Sequence, residues 1–169
     1  FFLHGNRDFL IGPGFAQRTG ATLLHDPTVL VWQGQRLLLS HGDALCLDDV
    51  DYQRFRVQAR SVQWQEHFLA QPLAQRRAQA RGIRAESEAR KQSGAVYADV
   101  DGPAAIAWLQ AARATTLVHG HTHRPAEHAL VPGLARVVLS DWDAAAHPPR
   151  ADVLRLTPQG LERVAIVPT

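Results

Sequence analysis

The sequence predicts an α/β fold, in which strands and helices share one core. With 169 residues, the chain is long enough for one domain and short for two. Its apolar residues recur in short runs that end at glycine, as buried strands do. Longer segments with helical spacing lie between them, and one of these is rich in arginine. We therefore expect a single domain over residues 1–169, with a helical insert at about 50–95.

The N-terminal elements are a short strand, a short helix and a hairpin. "FFLHGNRDF" predicts a buried strand that turns at Gly5-Asn6. "IGPGFAQRTGATLL" predicts a loop and a short helix that stops at Gly20. "TVLVWQGQRLLLSHGD" predicts a hairpin with strands at 29–32 and 36–40.

Helical spacing dominates the middle of the chain. Asp48 or Asp49 can cap a helix that runs from about Val50 to Ala70, where apolar residues recur at near-heptad spacing. Pro72 then interrupts the pattern. A second, arginine-rich helix is expected at about 73–92 and a third at about 103–112.

Strand patterns return after the third helix. "TTLVHG" and "ARVVLSDW" each predict a strand. "ADVLRLTPQGLERVAIV" predicts a closing hairpin over Gln159-Gly160. These elements complete the α/β pattern.

The charge is unevenly distributed, although the net charge is only +2. Between Arg54 and Lys91 there are nine Lys or Arg and three acidic residues, or about +6. Such a segment is typical of an anionic partner or of a solvated helical face. We expect no nucleic-acid binding, because no known module accompanies the basic residues.

Two further features concern the source of the chain. Cys46 is the only cysteine, which excludes an internal disulfide and fits a reducing compartment. The chain begins at Phe1 inside an apolar run and contains no methionine. We interpret it as a fragment that lacks its upstream part.

Three predicted strands end in similar polar motifs: His-Gly-Asn, His-Gly-Asp and His-Gly-His-x-His. Sites in α/β sheets form where the carboxyl ends of strands converge. We therefore expect Asn6, His41, His121 and His123 to share one pocket, although a structural turn is the alternative. Imidazole and amide donors without thiolates suit Mn, Fe, Co or Zn. A carboxylate that bridges two metals is not evident, because the nearby Asp8 and Asp43 lie just past their turns.

The motifs "GNRD", "HGD" and "GHTHRP", in this order, resemble those of the calcineurin-like metallophosphoesterases. The stretches "HGNRDFLIGPGFAQRTGATLL", "HGDALCLDDVDYQRFR" and "RVVLSDW" resemble one family among them, whose members hydrolyse UDP-2,3-diacylglucosamine in the lipid A synthesis of Gram-negative bacteria. The resemblance implies a β-sandwich flanked by helices (α/β/β/α). It also implies a helical lid formed by the insert, and N-terminal strands that are missing from this chain.

The resemblance also assigns roles to residues. It implies that Asn6, His41 and His121 bind one of two manganese ions, and that His123 binds the other. Arg7 would contact a substrate phosphate, for which a guanidinium offers a bidentate fork. His119 lies just ahead of the ligands and could transfer a proton or support them, although packing against the strand end is the alternative. The other implied substrate contacts are Asn6, His121, Asp49, Arg84, Ser87 and Lys91.

The implied reaction is cleavage of a pyrophosphate bond by water that the metals activate. Attack on the α-phosphorus would give UMP and 2,3-diacylglucosamine 1-phosphate. The implied protein is a monomer, held peripherally on the cytoplasmic face of the inner membrane. The apolar residues around Trp64 and Phe68 either line an acyl-chain chamber or pack in the core.

Two departures from the family leave alternatives open. Its Asp-x-His motif and its Gly-Asp motif, which carries the bridging aspartate, are absent from the sequence. We therefore expect this chain alone to bind metal weakly and to be inactive. Gly94 also stands where the family tends to offer a polar contact. The alternatives are a phosphoesterase for a soluble nucleotide and a non-catalytic module with half a metal site.

Overall fold

A computed structural model describes residues 1–92 and 98–166, without the side chains of residues 86–88 and 90–92. The chain forms two compact units. One, the sheet unit, comprises Phe1–Cys46 and Asp99–Thr169. The other, the helical unit, comprises Leu47–Ala98. Strands and helices are both present, so the α/β class is confirmed.

The sheet unit is built on a five-stranded sheet. Its strands are β3 (Thr28–Trp32), β4 (Gln35–Ser40), β5 (Thr116–His119), β6 (Glu127–Val131) and β7 (Leu134–Val138). Their spatial order is β3-β4-β5-β7-β6. The three central strands are parallel, and each edge strand pairs with its neighbour as an antiparallel hairpin. Parallel central strands bring their carboxyl ends to one edge, where a site can form.

Two small sheets complete the strands of this unit. They are the parallel pair β1 (Phe2–Leu3) and β2 (Leu23–Leu24), and the antiparallel pair β8 (Asp152–Thr157) and β9 (Gly160–Ala165). The predicted closing hairpin is therefore confirmed. The N-terminal strand is shorter than "FFLHGNRDF" suggested, because a loop begins directly after Leu3.

Two α-helices lie among the described residues of the sheet unit. Helix α1 (Pro13–Thr19) ends at Gly20, whose φ of 73° lies in the left-handed region that glycine adopts readily. Helix α5 (Gly102–Ala112) begins at Asp101, whose side chain accepts a hydrogen bond from the Ala104 N–H. Both predicted helices are confirmed.

The core of the sheet unit lies between the central strands and α5. Leu38, Leu117 and Val138 come from the three parallel strands and are almost completely buried. Leu109 of α5 is completely buried and contributes to the same core. Strands that are buried in this way read as continuous apolar runs, which is why β4 and β5 were visible in the sequence.

The described residues of the helical unit form three helices: α2 (Val50–Ala59), α3 (Val62–Ala70) and α4 (Leu73–Gln92). The prediction of one helix from Val50 to Ala70 was wrong. Ser61 has an extended backbone and its hydroxyl accepts a hydrogen bond from the Trp64 N–H, so it caps a new helix. In the described part of the chain, no helix is both long and apolar enough to cross a membrane.

Strand β6 was missed by the sequence analysis. It is an edge strand whose residues alternate between exposed and partly buried, so it lacks a continuous apolar run. It pairs with β7 through a turn at Gly133, which has a φ of 82°. Gly133 within "EHALVPGLARVV" was the sequence signal that could have predicted this hairpin.

Candidate metal and phosphate site

Two parallel strands bring His41 and His121 together. In the β4–β5 pair Ser40 lies opposite His119, so the residues that follow both strands are neighbours. The Gly120 N–H donates a hydrogen bond to the His41 carbonyl over 3.1 Å. The His41 and His121 rings lie nearly edge to face, with centroids 5.1 Å apart. The expectation that these two strand endings meet is confirmed.

The third strand ending joins them through Gly5. This glycine is buried, and a Cβ atom on it would lie 3.1 Å from His41 Cε1. The Gly5 N–H donates to the Asp8 carboxylate, which holds the turn closed. Asn6 follows in the chain and is half-buried, and Arg7 after it is exposed. The "GNRD" turn therefore begins directly against the His41 ring.

The turn that carries the remaining histidines has an unusual backbone. His121 and His123 have positive φ values of 64° and 52°. Such values are uncommon outside glycine, although histidine tolerates them better than most residues. Between them, the buried Thr122 hydroxyl has no hydrogen-bond partner among the described residues. Backbone strain and unsatisfied buried hydroxyls are features that cluster at functional sites in proteins.

His123 points to a carboxylate. Its Nδ1 atom lies 3.7 Å from Asp141 Oδ2, and its side chain is 63% exposed. Asp141 also accepts a hydrogen bond from Arg150 over 2.8 Å, and this bond lowers the pKa of the carboxyl. Asp141 is thus an anion beside a predicted metal ligand, as expected of a group that orients the imidazole.

These donors suit a divalent ion in chemistry but do not form a complete ligand set. Two imidazoles and the Asn6 turn converge, and all are nitrogen or oxygen donors that Mn²⁺ accepts. Among residues 1–92 and 98–166, no group of three His, Cys, Asp or Glu side chains lies close enough to hold a metal. The manganese ions and their four ligands therefore stay predictions.

His119 lies beneath the two turns, inside the protein. Its side chain is completely buried, and Nδ1 is hydrogen-bonded to the Gly120 carbonyl at 2.9 Å. Burial and, to a smaller extent, the nearby Arg136 lower the pKa of His119 to about 4, against the opposing effect of the Gly120 hydrogen bond. A neutral, enclosed imidazole can position the turns above it. The predicted proton transfer by His119 stays a prediction.

Sequence reasoning missed the ion pair next to His119. Arg136 is buried on β7 and donates to both carboxylate oxygens of Asp99, each over 2.9 Å. Burial raises the pKa of Asp99, but the hydrogen bonds from Arg136 and the Val100 N–H lower it overall to about 2. The signal available in the sequence was a single arginine inside the apolar run "ARVVL".

Comparison with known proteins agrees with the motifs. No family model matches the chain. A UDP-2,3-diacylglucosamine hydrolase of Chromobacterium violaceum is 52% identical to it over 144 residues. Proteins of the same name from Cellvibrio japonicus and Bordetella pertussis are 48% identical over 146 residues and 47% identical over 163. The chain is thus similar over most of its length to proteins named UDP-2,3-diacylglucosamine hydrolase.

The matches cover most of this chain and a smaller part of each hydrolase. They include 84% of the chain for the Chromobacterium and Cellvibrio proteins and 94% for the Bordetella protein. The chain spans about 60% of the length of the curated hydrolases that it matches. The resemblance to these hydrolases that the motifs indicated is therefore confirmed.

The remaining residues predicted to contact substrate lie in the helical unit. Asp49 caps α2, because its side chain accepts a hydrogen bond from the Tyr52 N–H over 3.2 Å. Arg84 is exposed on α4. The side chains of Ser87 and Lys91, and the whole of Gly94, lie outside the described residues. Contact of these positions with a hydrolase substrate stays a prediction.

Proposed function

We propose that this chain forms the greater part of a metal-dependent hydrolase that cleaves the pyrophosphate bond of UDP-2,3-diacylglucosamine. The products would be UMP and 2,3-diacylglucosamine 1-phosphate, an intermediate of lipid A synthesis. The observation that carries this proposal is the pairing of His41 with His121 at the ends of two parallel strands, beside the "GNRD" turn. Homology to hydrolases named for this substrate supports it.

The metal ligands are assigned within this proposal. Asn6, His41 and His121 would hold one Mn²⁺, and His123 a second, with Asp141 orienting its ring. Bound divalent ions neutralise phosphate charge and lower the pKa of water to near neutrality. The chain itself contributes strained turns that fix the imidazoles before any ligand arrives.

Arg7 would bind the substrate phosphate. It is exposed and follows Asn6 directly, so it stands at the mouth of the proposed site. A guanidinium can donate two parallel hydrogen bonds to phosphate oxygens and stays charged at every physiological pH. It would therefore stabilise the negative charge that develops as the pyrophosphate bond breaks.

The helical unit would receive the acyl chains and the membrane. Trp64 and Phe68 stack at 4.9 Å, and the apolar side chains of Val62 and Leu69 on the same helix are exposed. Apolar side chains combined with arginines favour binding to an anionic lipid surface. We propose a lid on an α/β/β/α sandwich, in a monomer at the cytoplasmic face of the bacterial inner membrane.

The direct test is release of UMP from UDP-2,3-diacylglucosamine by the complete gene product in Mn²⁺. We expect His121→Ala to lower kcat/KM by about 100-fold or more, because metal affinity depends on each ligand. His147→Ala is the matched control, since this exposed histidine is hydrogen-bonded to the nearby Ala145 carbonyl. Full activity of His121→Ala would refute the assigned site.

The coding sequence upstream of Phe1 provides an independent test of the same proposal. The proposal requires an Asp-x-His motif and then a Gly-Asp motif there, which would supply the bridging carboxylate. Turnover of acylated but not unacylated UDP-sugars would favour the lipid substrate over a soluble nucleotide.

A second candidate function is a non-catalytic binding module. It is favoured by the observation that the described residues gather two imidazoles and no complete ligand cluster. Mn²⁺ binding without UMP release by the complete gene product would support this candidate.

A further inference from the structure

We propose that Asp99, Arg136 and His119 form a buried relay that positions the two turns carrying His41 and His121. None of the three would touch the substrate; each would act through its neighbour. The proposal rests on the proposed function only in taking these two histidines as metal ligands.

The His119 ring lies between the two turns. A Cβ atom on Gly42, directly after His41, would lie 2.8 Å from His119 Nδ1. The same nitrogen is hydrogen-bonded to the Gly120 carbonyl, directly before His121. The ring therefore contacts both turns at once. Its orientation sets how far apart they lie.

Arg136 determines the tautomer of the His119 ring. Arg136 Nη1 lies 3.3 Å from His119 Nε2. A guanidinium donates hydrogen bonds and cannot accept them, so Nε2 must be the acceptor. The proton of the neutral ring is then on Nδ1, which donates to the Gly120 carbonyl. Arg136 thus selects the tautomer that holds the His121 turn.

Asp99 determines the orientation of the Arg136 guanidinium. The carboxylate receives one hydrogen bond from each terminal nitrogen of the guanidinium, which fixes its plane. Arg136 is only 7% exposed, so its charge needs this partner. A lysine would keep the charge but would lose the planar, bidentate fork.

The backbone keeps the ring in register with the sheet. The Leu139 N–H donates to the His119 carbonyl over 2.7 Å, and β5 pairs with β7, which carries Arg136. The relay therefore joins three separate stretches of chain: residue 99, strand β5 and strand β7. Nothing in the proposed chemistry needs this ion pair, which makes its burial beside the turns informative.

The test uses Arg136→Lys and Asp99→Asn in the complete gene product, labelled with ¹⁵N-histidine. NMR of the wild-type protein should show His119 as one tautomer, protonated at Nδ1. In both variants we expect a tautomer mixture and shifted amide signals of Gly42 and Gly120. We also expect the dissociation constant for Mn²⁺ alone to rise about tenfold, as for other groups that orient metal ligands.

Arg155→Lys is the matched control. Arg155 donates two hydrogen bonds to Glu162 across the β8–β9 hairpin, and both side chains are exposed. The substitution removes a two-bond contact between an arginine and a carboxylate from the separate β8–β9 hairpin. It should leave the tautomer, the two glycine signals and the Mn²⁺ affinity unchanged.

Several outcomes would overturn the relay. One is a wild-type His119 protonated at Nε2. Another is a pair of folded variants with an unchanged tautomer and unchanged Mn²⁺ affinity. If the wild-type protein bound no Mn²⁺, the proposed function would fail, while the tautomer and glycine signals would still decide the relay. If Arg136→Lys did not fold, Asp99→Asn and the wild-type tautomer would decide it.

Discussion

Gly42 shows how one residue sets the spacing of the two histidine turns. Its φ is 100°, in a region that side chains disfavour, and the His119 ring occupies the space where a Cβ would stand. The Gly120 carbonyl lies 3.3 Å from the same point. Only glycine meets both the backbone and the packing requirement here.

Gly42→Ala should therefore destabilise the protein by about 2 to 4 kcal/mol, because backbone strain and overpacking combine. Gly133→Ala is the control: its φ is 82°, and nothing lies within 4 Å of its added Cβ. It should cost about 1 kcal/mol from the backbone alone. Unfolding in urea measures both, and equal losses would contradict the packing argument.

Asp99 should make stability depend on acid pH. Its folded pKa of about 2 lies below the ordinary 3.8, so its contribution is present above pH 3.8 and is lost as the pH falls through 2. We expect about 1 to 2 kcal/mol, allowing for solvent screening of a carboxylate that is 32% exposed. Urea unfolding between pH 5 and pH 2 measures it. The same loss in Asp99→Asn would assign the effect to other groups.

Individual site residues differ in how well the sequence could predict them. His41 and His121 were predictable, because each follows an apolar run at once and adjacent parallel strands end together. The partnership of Asp99 with Arg136 was not, because it joins residues 37 positions apart through side chains alone. The burial of His119 agrees with the alternative that it packs against the strand end, since this histidine closes an apolar run.

Among the helices, capping residues are the signals from which helix ends could be predicted. Gly20 and Asp49 lie at helix ends as expected, because glycine and aspartate give local signals. Ser61 gives the same kind of signal but lies inside a near-heptad apolar pattern, and the pattern was given too much weight. Local hydrogen bonding therefore outweighed apolar spacing at this position.

Helix α2 offers a test that separates capping from substrate contact at Asp49. Asparagine also caps helices well, so Asp49→Asn should keep the stability within about 0.5 kcal/mol, while Asp49→Ala should cost about 1 kcal/mol. If the carboxylate also binds substrate, Asp49→Asn should raise the KM of the complete gene product. Urea unfolding and steady-state kinetics distinguish the roles, and an unchanged KM would leave Asp49 as a cap alone.

In the molecule as a whole, the two chain segments of the sheet unit meet at the point where the helical unit is inserted. The Asp101 N–H donates a hydrogen bond to the Leu45 carbonyl over 2.8 Å, so the chain leaves and returns at one place. The predicted insert at about 50–95 corresponds closely to the helical unit, Leu47–Ala98. The α/β/β/α arrangement stays a prediction.

Replacement of residues 47–98 by a short Gly-Ser linker should leave the sheet unit folded, because the two ends already lie side by side. Circular dichroism should retain the strand signal, and urea should produce one cooperative transition. A chain without such a transition would show that the sheet unit needs the helical unit to fold.

The parallel pairing of β4 with β5 has a consequence for synthesis on the ribosome. The ribosome adds 80 residues after His41 before His121 is complete. The connection between their strands includes the entire helical unit. Pairings of such long range form slowly, since the intervening chain loses entropy before any contact is gained. The two rings therefore come together only after residue 121 has been synthesised and β5 has paired with β4.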